Sequence, residues 1–193
     1  MVLERRLFVD DRRSIERFGE DLEKIFSGKR SVVFLCGPSM KKPKVPGVKL
    51  RKNLEVTLKK EGFEVVLGED DGLEEIRNRY STYAHENELL FIEKHCNCII
   101  LIASSVGAYC ELGLFSYKKL HGLSDKTDFV LVLSSKYKKA KSYLNEGPAA
   151  AIKDFGKVYY GNLNNFDYSE IIDRLKRRRA VYLTDIRGRP PKR

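Results

Sequence analysis

The chain has 193 residues, which fits one domain with a sizeable core and modest extensions. Apolar residues make up 42% of it and occur in short runs, so the composition excludes an intrinsically disordered chain, and no run reaches the roughly 18–20 apolar residues of a membrane span. The formal net charge of +10 is concentrated in residues 174–193, which hold nine Lys or Arg and a single acid.

The first third of the chain predicts a helix followed by strand, helix and strand. Residues 12–27 carry apolar side chains at helical spacing. The uninterrupted β-branched run at 31–39, stopped by Gly37 and Pro38, is typical of a strand covered on both faces. Residues 48–62 predict a helix that ends at Gly62, and residues 63–68 a second strand.

The alternation of strands and helices continues to the end of the chain. Helical stretches are predicted at 73–96 (interrupted near Ser81), 107–122 and 167–183, and strands at 98–104, 128–135 and 157–161. This order predicts a doubly wound, flavodoxin- or Rossmann-like α/β domain. We expect four or five mostly parallel strands with helices on both faces, within a domain of residues 1–173, followed by a basic tail at 174–193.

Ligands of such sheets bind beyond the carboxyl ends of the strands. That rule selects four short segments, at residues 37–39, 69–72, 104–107 and 134–135. The Lys- and Pro-rich segment 40–47 is long for a βα loop, and its Lys41, Lys42 and Lys44 are candidates for contacting a substrate phosphate.

Glu111 is the candidate catalytic residue. It follows the third predicted strand and falls in the first turns of the next helix, where the helix dipole favours an ionised carboxylate. Such a carboxylate can act as a nucleophile at a sugar carbon. An acid in this place is also common for purely structural reasons, because the dipole favours it.

Two segments, FLCGPS at 34–39 and GAYCELGLF at 107–115, resemble the nucleoside 2-deoxyribosyltransferase family. The chain is also similar to related N-glycosidases, including deoxyribosyltransferase-like effectors that accompany bacterial retrons. The resemblance covers roughly residues 30–160. It implies that Glu111 attacks C1′, expels the base and forms a glycosyl-enzyme intermediate, and that Gly37 and Pro38 line the nucleoside pocket.

The chain departs from that family at two carboxylates. Ser105 stands where the family has an Asp six residues before the nucleophile, and Glu86 and Glu88 are the acids nearest to a second family Asp. Because these carboxylates orient and protonate the base, their loss favours hydrolysis over transfer to an incoming base. The predicted substrate-binding residues are Gly37, Pro38, Ser39, Asp70, Ser104, Ser105, Gly107 and Tyr109.

Other candidates have competing structural explanations. Asp70 could bind sugar hydroxyls or form an Asx turn before Gly72. Tyr83 and Tyr109 could stack on a base, although we expect one of them to cover the core. His95, Cys96 and Cys98 resemble a fragment of a metal site, but no second cluster completes it, so we expect buried thiols, no metal and no cofactor. Cys110 is expected to be a packing residue.

The final residues resemble an AT-hook core, with Arg187 and Arg189 around Gly188 and further basic groups at Lys192 and Arg193. An extended Arg-Gly-Arg unit can enter a narrow minor groove, whereas generic phosphate contact or a solvated basic end is the alternative. These four cations are the predicted nucleic-acid-binding residues.

The sequence therefore predicts an N-glycosidase acting on a nucleoside, nucleotide or NAD-like substrate, and the resemblance suggests a toxin effector of bacterial antiphage defence. The alternative is a non-catalytic nucleotide-sensing or nucleic-acid-binding scaffold. Four cysteines are too few for a disulfide framework, and the N-terminus lacks the apolar core of a signal peptide, so we expect a cytoplasmic protein. The expected partners are a nucleotide or nucleoside, nucleic acid at the tail, and a second subunit or regulatory protein.

Overall fold

The computed structural model describes residues 31–69, 83–123 and 127–183. Five parallel strands form one sheet in the order β2-β1-β3-β4-β5. The strands are β1 (Val32–Cys36), β2 (Glu64–Leu67), β3 (Cys98–Ala103), β4 (Asp128–Ser134) and β5 (Lys157–Gly161). The described helices are α1 (Val48–Lys60), α2 (Ala84–His95), α3 (Val106–His121), α4 (Tyr143–Glu146), α5 (Pro148–Phe155) and α6 (Ser169–Leu183).

The predicted doubly wound α/β fold is confirmed, with five strands that are all parallel. Each predicted strand agrees with an observed one to within about two residues. The sequence analysis assigned no helix between β4 and β5, where α4 and α5 lie. The predicted helix at 12–27 lies outside the described residues.

The sheet is buried on both faces, because helices pack against apolar side chains on each side of it. One face packs on Leu54 and Leu58 of α1 and on Ile171 and Leu175 of α6. The other face packs on α2, α3 and α5, through residues that include Phe91, Ile92, Leu112, Phe115 and Ile152. The long apolar runs in the sequence thus reflect helices on both faces.

The order of the strands reverses between β1 and β3. From β1 the chain moves outward to β2 on one side, and β3, β4 and β5 follow one another on the other side. The crossover segments diverge at this point and leave a crevice beyond the carboxyl ends of β1 and β3. The fold therefore places its default ligand site there.

Two glycines let the loop after β1 pack closely on the end of β3. Gly37 has φ of 153°, and a Cβ there would lie 3.2 Å from the Cβ and carbonyl oxygen of Ile102. Gly47 has φ of 88°, and its Cβ would lie 2.9 Å from Ile102 Cγ2. Ser104 Oγ also donates to the Pro46 carbonyl at 2.7 Å, so both ends of this loop are fixed to β3.

Helix α6 is attached to the sheet through Asp128, the first residue of β4, whose side chain is completely buried. Arg174 donates to this carboxylate from Nε at 2.9 Å and Nη2 at 2.7 Å, and the Tyr182 hydroxyl donates at 3.1 Å. Arg178 adds an ion pair at 3.5 Å. Several charges of the basic C-terminal region therefore hold the helix in place.

We expect Asp128→Asn to destabilise the fold by about 3–5 kcal/mol, because it leaves Arg174 without its buried counter-charge. Glu61→Gln is the matched control, since the ion pair of Glu61 with Lys176 at 2.7 Å is one-third exposed on both sides. That variant should cost about 0–1 kcal/mol. Urea unfolding measures both, and equal losses would contradict the role of Asp128.

Candidate functional site

A cleft of about 410 Å³ lies at the switch point beyond β1 and β3. Its walls come from three of the four segments that the sequence analysis selected, namely those after β1, β2 and β3. The lining residues are Cys36, Gly37, Ser39, Arg51, Gly68, Glu69, Glu88, Ser105, Gly107, Ala108 and Glu111. The fourth segment, Ser134 and Ser135, does not line this cleft.

Arg51 is the central cation of the cleft, and its side chain is only 2% exposed. From the first turn of α1, it donates to the carbonyl oxygens of Leu35 at 2.9 Å and Pro38 at 3.1 Å. It also forms a bidentate pair with Glu69, at 2.7 and 2.8 Å. One side chain thus connects the end of β1, the Gly-Pro turn and the end of β2.

Glu111 lies in the second turn of α3 and lines the cleft. Its Oε2 atom is buried and has no hydrogen-bond partner among the described residues. Burial raises the pKa of Glu111 to about 6, an effect that Arg51 opposes and Glu69 reinforces. Desolvation therefore brings the titration of this carboxylate close to neutrality, while the ionised form still predominates at pH 7.

Glu88 of α2 is the third carboxylate of the cleft. Burial, followed by the charges of Glu111 and Glu69, raises its pKa to about 7. Gly68 makes room for it, since a Cβ on Gly68 would lie 2.6 Å from Glu88 Oε1. The cleft therefore holds two acids whose pKa values lie near neutrality, an arrangement typical of acid–base and nucleophilic sites.

Of the two acids considered before β3, the structure brings Glu88 to the cleft. Glu86 instead accepts a hydrogen bond from the Tyr83 N–H at 3.2 Å and caps the start of α2. Cys36, at the floor of the cleft, is buried, and burial together with the charges of Glu111 and Glu88 raises the pKa of its thiol. That thiol therefore stays protonated beside the carboxylates.

The other predicted substrate-binding residues divide into two groups. Gly37, Ser39, Ser105 and Gly107 line the cleft, and Ser105 also caps α3 by accepting from the Ala108 N–H at 3.3 Å. Pro38 and Ser104 lie beside it and contact Arg51 and the Pro46 carbonyl. Asp70 lies outside the described residues.

The two tyrosines considered for base stacking, Tyr83 and Tyr109, differ in their surroundings. Tyr109 packs edge to face on Tyr137 and against the core, and it is not among the residues that line the cleft. Tyr83 is 71% exposed. Tyr109 is therefore the one of the two that covers the core.

The sequence analysis did not select Arg51 or the pairing of Glu69. Glu69 did fall in a selected segment, just past the end of β2. Arg51, however, is one basic residue among several in an amphipathic helix, and only its burial distinguishes it from exposed neighbours such as Lys52. Gly68 is a weak indication of this site in the sequence, because a glycine at a strand end often marks a place where another group approaches the backbone closely.

The cysteines of the chain are not paired in disulfides. All four cysteines are free thiols; Cys96 and Cys98 are buried as predicted, whereas Cys110 is exposed and does not pack in the core. Within 31–69, 83–123 and 127–183, no group of three or more His, Cys, Asp or Glu side chains is arranged to hold a metal ion.

The basic groups selected from the sequence lie in the loop after β1 and in the C-terminal region. Lys41, Lys42 and Lys44 are exposed on the loop after β1, which is folded into successive turns by hydrogen bonds such as Lys42 N to Ser39 O at 3.1 Å. In α6, Arg179 lies 4.5 Å from the centre of the Phe63 ring and donates to the Glu61 carbonyl. Arg187, Arg189, Lys192 and Arg193 lie outside the described residues.

Comparison with protein families places this cleft in context. A family model described as "STM3845 retron effector protein" matches residues 48–185, more than two thirds of the chain. The chain belongs to this retron effector family. The match includes Arg51, Glu69, Glu88 and Glu111, and it supports the retron-effector part of the resemblance.

No curated protein shows significant similarity to the chain. The likeness to nucleoside 2-deoxyribosyltransferases stays a prediction. None of the helices in the described ranges has both the length and the apolar character needed to cross a membrane.

The raised pKa of Glu88 predicts how stability depends on pH. The folded protein holds this proton up to about pH 7, whereas an ordinary glutamate loses it near 4.5. Ionisation of Glu88 therefore destabilises the fold progressively as the pH rises through that window. Glu88→Gln, which mimics the protonated form, should raise Tm by about 2–4 °C at pH 8 and leave it unchanged at pH 5.

Differential scanning fluorimetry at the two pH values measures this effect. Glu93→Gln is the control, because Glu93 is half-exposed on the same helix and pairs with Lys118 at 3.3 Å. A gain for Glu88→Gln of equal size at both pH values would contradict the assigned pKa.

Proposed function

We propose that the chain is an N-glycosidase that cleaves the base–sugar bond of a nucleoside, nucleotide or NAD-like substrate, and that it acts as a toxin effector of retron-based antiphage defence. The observation that carries the proposal is the pair of partly buried carboxylates, Glu111 and Glu88, with raised pKa values of about 6 and about 7 in one cleft. Membership of the retron effector family supports the biological role.

In the proposed reaction, Glu111 is the nucleophile. Its carboxylate oxygen attacks C1′ while the C1′–N bond breaks, and the bonding electron pair leaves with the base. The buried Oε2 without a partner supports this role, since no described residue competes for it. Its lower pKa of the two means that it is the first to be ionised as the pH rises.

Glu88 is the proposed acid and then base. Protonated near neutrality, it donates its proton to the departing base nitrogen. As a carboxylate, it then takes a proton from a water whose oxygen attacks C1′ and releases Glu111. The net reaction consumes one water and yields the free base and the sugar, and it regenerates both side chains.

Arg51 has a positioning role in this proposal. It is buried, holds the turn at Pro38 and opposes the rise in the pKa of Glu111. Lys41, Lys42 and Lys44 are proposed to attract the phosphate of a nucleotide at the rim, because the cleft itself is lined by three acids. The basic residues at 187–193 are proposed to contact retron nucleic acid, by counterion release from its phosphates.

Glu111→Gln should lower the rate of base release from a panel of nucleosides, nucleotides and NAD by about three orders of magnitude or more. The reason is that the amide is a poor nucleophile. Chromatography of the freed bases measures the reaction, and loss of toxicity in cells accompanies it. Glu93→Gln is the matched substitution outside the cleft and should retain activity. Base release by Glu111→Gln at the wild-type rate would remove Glu111 from the mechanism.

The pH dependence tests the division of roles. Base release requires ionised Glu111 and protonated Glu88, so the rate should be greatest between about pH 6 and 7 and fall on both sides. Glu88→Gln should lower the rate by about 10²–10⁴-fold and remove the alkaline limb assigned to this acid.

A substrate whose base needs no proton provides the control for that variant. In 7-methylguanosine the base is already cationic and departs as a neutral molecule. Its cleavage should therefore be reduced much less by Glu88→Gln than that of guanosine. Equal losses for both substrates would show that Glu88 acts by structure alone and not as the acid.

A further inference from the structure

We propose that Glu69 is the sugar-binding residue of the cleft and accepts hydrogen bonds from the 2′ and 3′ hydroxyls of a ribose. The substrate would then be a ribonucleoside or ribonucleotide, and 2′-deoxy compounds would bind more weakly. This inference rests on the proposed function, since it assigns the sugar of the same substrate.

The position of Glu69 supports this role. It lies just past the end of β2, after Gly68, at the carboxyl edge of the sheet, and lines the same cleft as Glu111. In doubly wound folds that bind dinucleotides, an acid in the corresponding part of the sheet accepts the hydrogen bond of a ribose hydroxyl. The sequence analysis considered Asp70 for that task, and the structure places its neighbour Glu69 in the cleft.

Within the part of the chain that the structure describes, the hydrogen bonds of Glu69 leave enough acceptor positions for two hydroxyl groups. Arg51 donates once to Oε1, at 2.7 Å, and once to Oε2, at 2.8 Å. A carboxylate has about four acceptor positions, two on each oxygen, so about one remains on each. The side chain is 48% exposed where it lines the cleft, and a vicinal diol supplies two donors for the two oxygens.

The pairing with Arg51 also fixes the direction of the carboxylate. Arg51 is 2% exposed and is itself held by the carbonyl oxygens of Leu35 and Pro38, so the guanidinium plane has little freedom. A carboxylate bound to it in bidentate fashion is oriented before the sugar arrives, which reduces the entropic cost of binding. Glu69 is therefore a specificity residue, distinct from the acids that carry the chemistry.

The test measures binding in the Glu111→Gln background, where turnover is blocked. The probes are the four ribonucleoside 5′-monophosphates and their 2′-deoxy counterparts, measured by equilibrium dialysis. At least one ribonucleotide should bind about 10- to 100-fold more tightly than its 2′-deoxy counterpart, as expected for a hydrogen bond to a charged acceptor. Adding Glu69→Gln should reduce that ratio to near one.

Glu93→Gln in the same background is the matched control, because Glu93 is half-exposed on α2 and does not line the cleft. It should leave the ratio unchanged. A purely structural effect of Glu69→Gln would weaken both members of a pair equally and preserve the ratio. If Glu69→Gln fails to fold, Glu69→Asp is the second variant. It keeps a carboxylate, but its shorter side chain moves that group away from the sugar, so it should also reduce the ratio of ribonucleotide to 2′-deoxynucleotide binding.

The outcomes separate this inference from the proposed reaction. A ratio that disappears with Glu69→Gln, without base release by the wild-type protein, would support the sugar site and refute the glycosidase activity. Base release with equal binding of ribose and 2′-deoxy forms would do the reverse. Failure of every ribonucleotide to bind, or a ratio that survives both substitutions at Glu69, would overturn the role of Glu69.

Discussion

The buried guanidinium of Arg51 is the interaction on which the cleft depends. Its donors satisfy the carbonyl oxygens of Leu35 and Pro38, which lie where β1 ends and the chain turns away from the sheet. The same group orients Glu69 at the end of β2. Because a cation removed from water is costly without such partners, the loop, the two strand ends and the carboxylate are held as one unit.

Arg51 also sets the electrostatic character of the site. Three carboxylates line the cleft, and Arg51 lowers the pKa of both Glu88 and Glu111, although burial and mutual repulsion outweigh it. Glu69 is half-exposed and paired, whereas Glu88 and Glu111 are more deeply placed. The cleft thus separates one fixed, paired acid from two that change protonation state near neutral pH, which is the basis for assigning binding to the first and chemistry to the others.

The opposite edge of the sheet uses charge for a different purpose. Asp128, at the start of β4, is fully buried and receives Arg174 and Tyr182 from α6. Together with the contacts of Arg179 to Glu61 and Phe63, this binds the last described helix to the domain. The charge that appeared in sequence as one basic region is therefore partly internal, and its α6 portion contributes to folding.

The sequence by itself determined the strands, their parallel arrangement and the segments that meet at the site. Uninterrupted apolar runs such as Val32–Cys36 and Cys98–Ala103 require cover on both faces, and Gly37 and Glu111 follow strand ends, so local pattern was sufficient. The sequence could not distinguish Glu88 from Glu86, two residues apart on one helix, or select Arg51 among the cations of α1. Those choices depend on which side of a helix faces the crevice and on burial that raises a pKa, and both arise only when distant segments pack together.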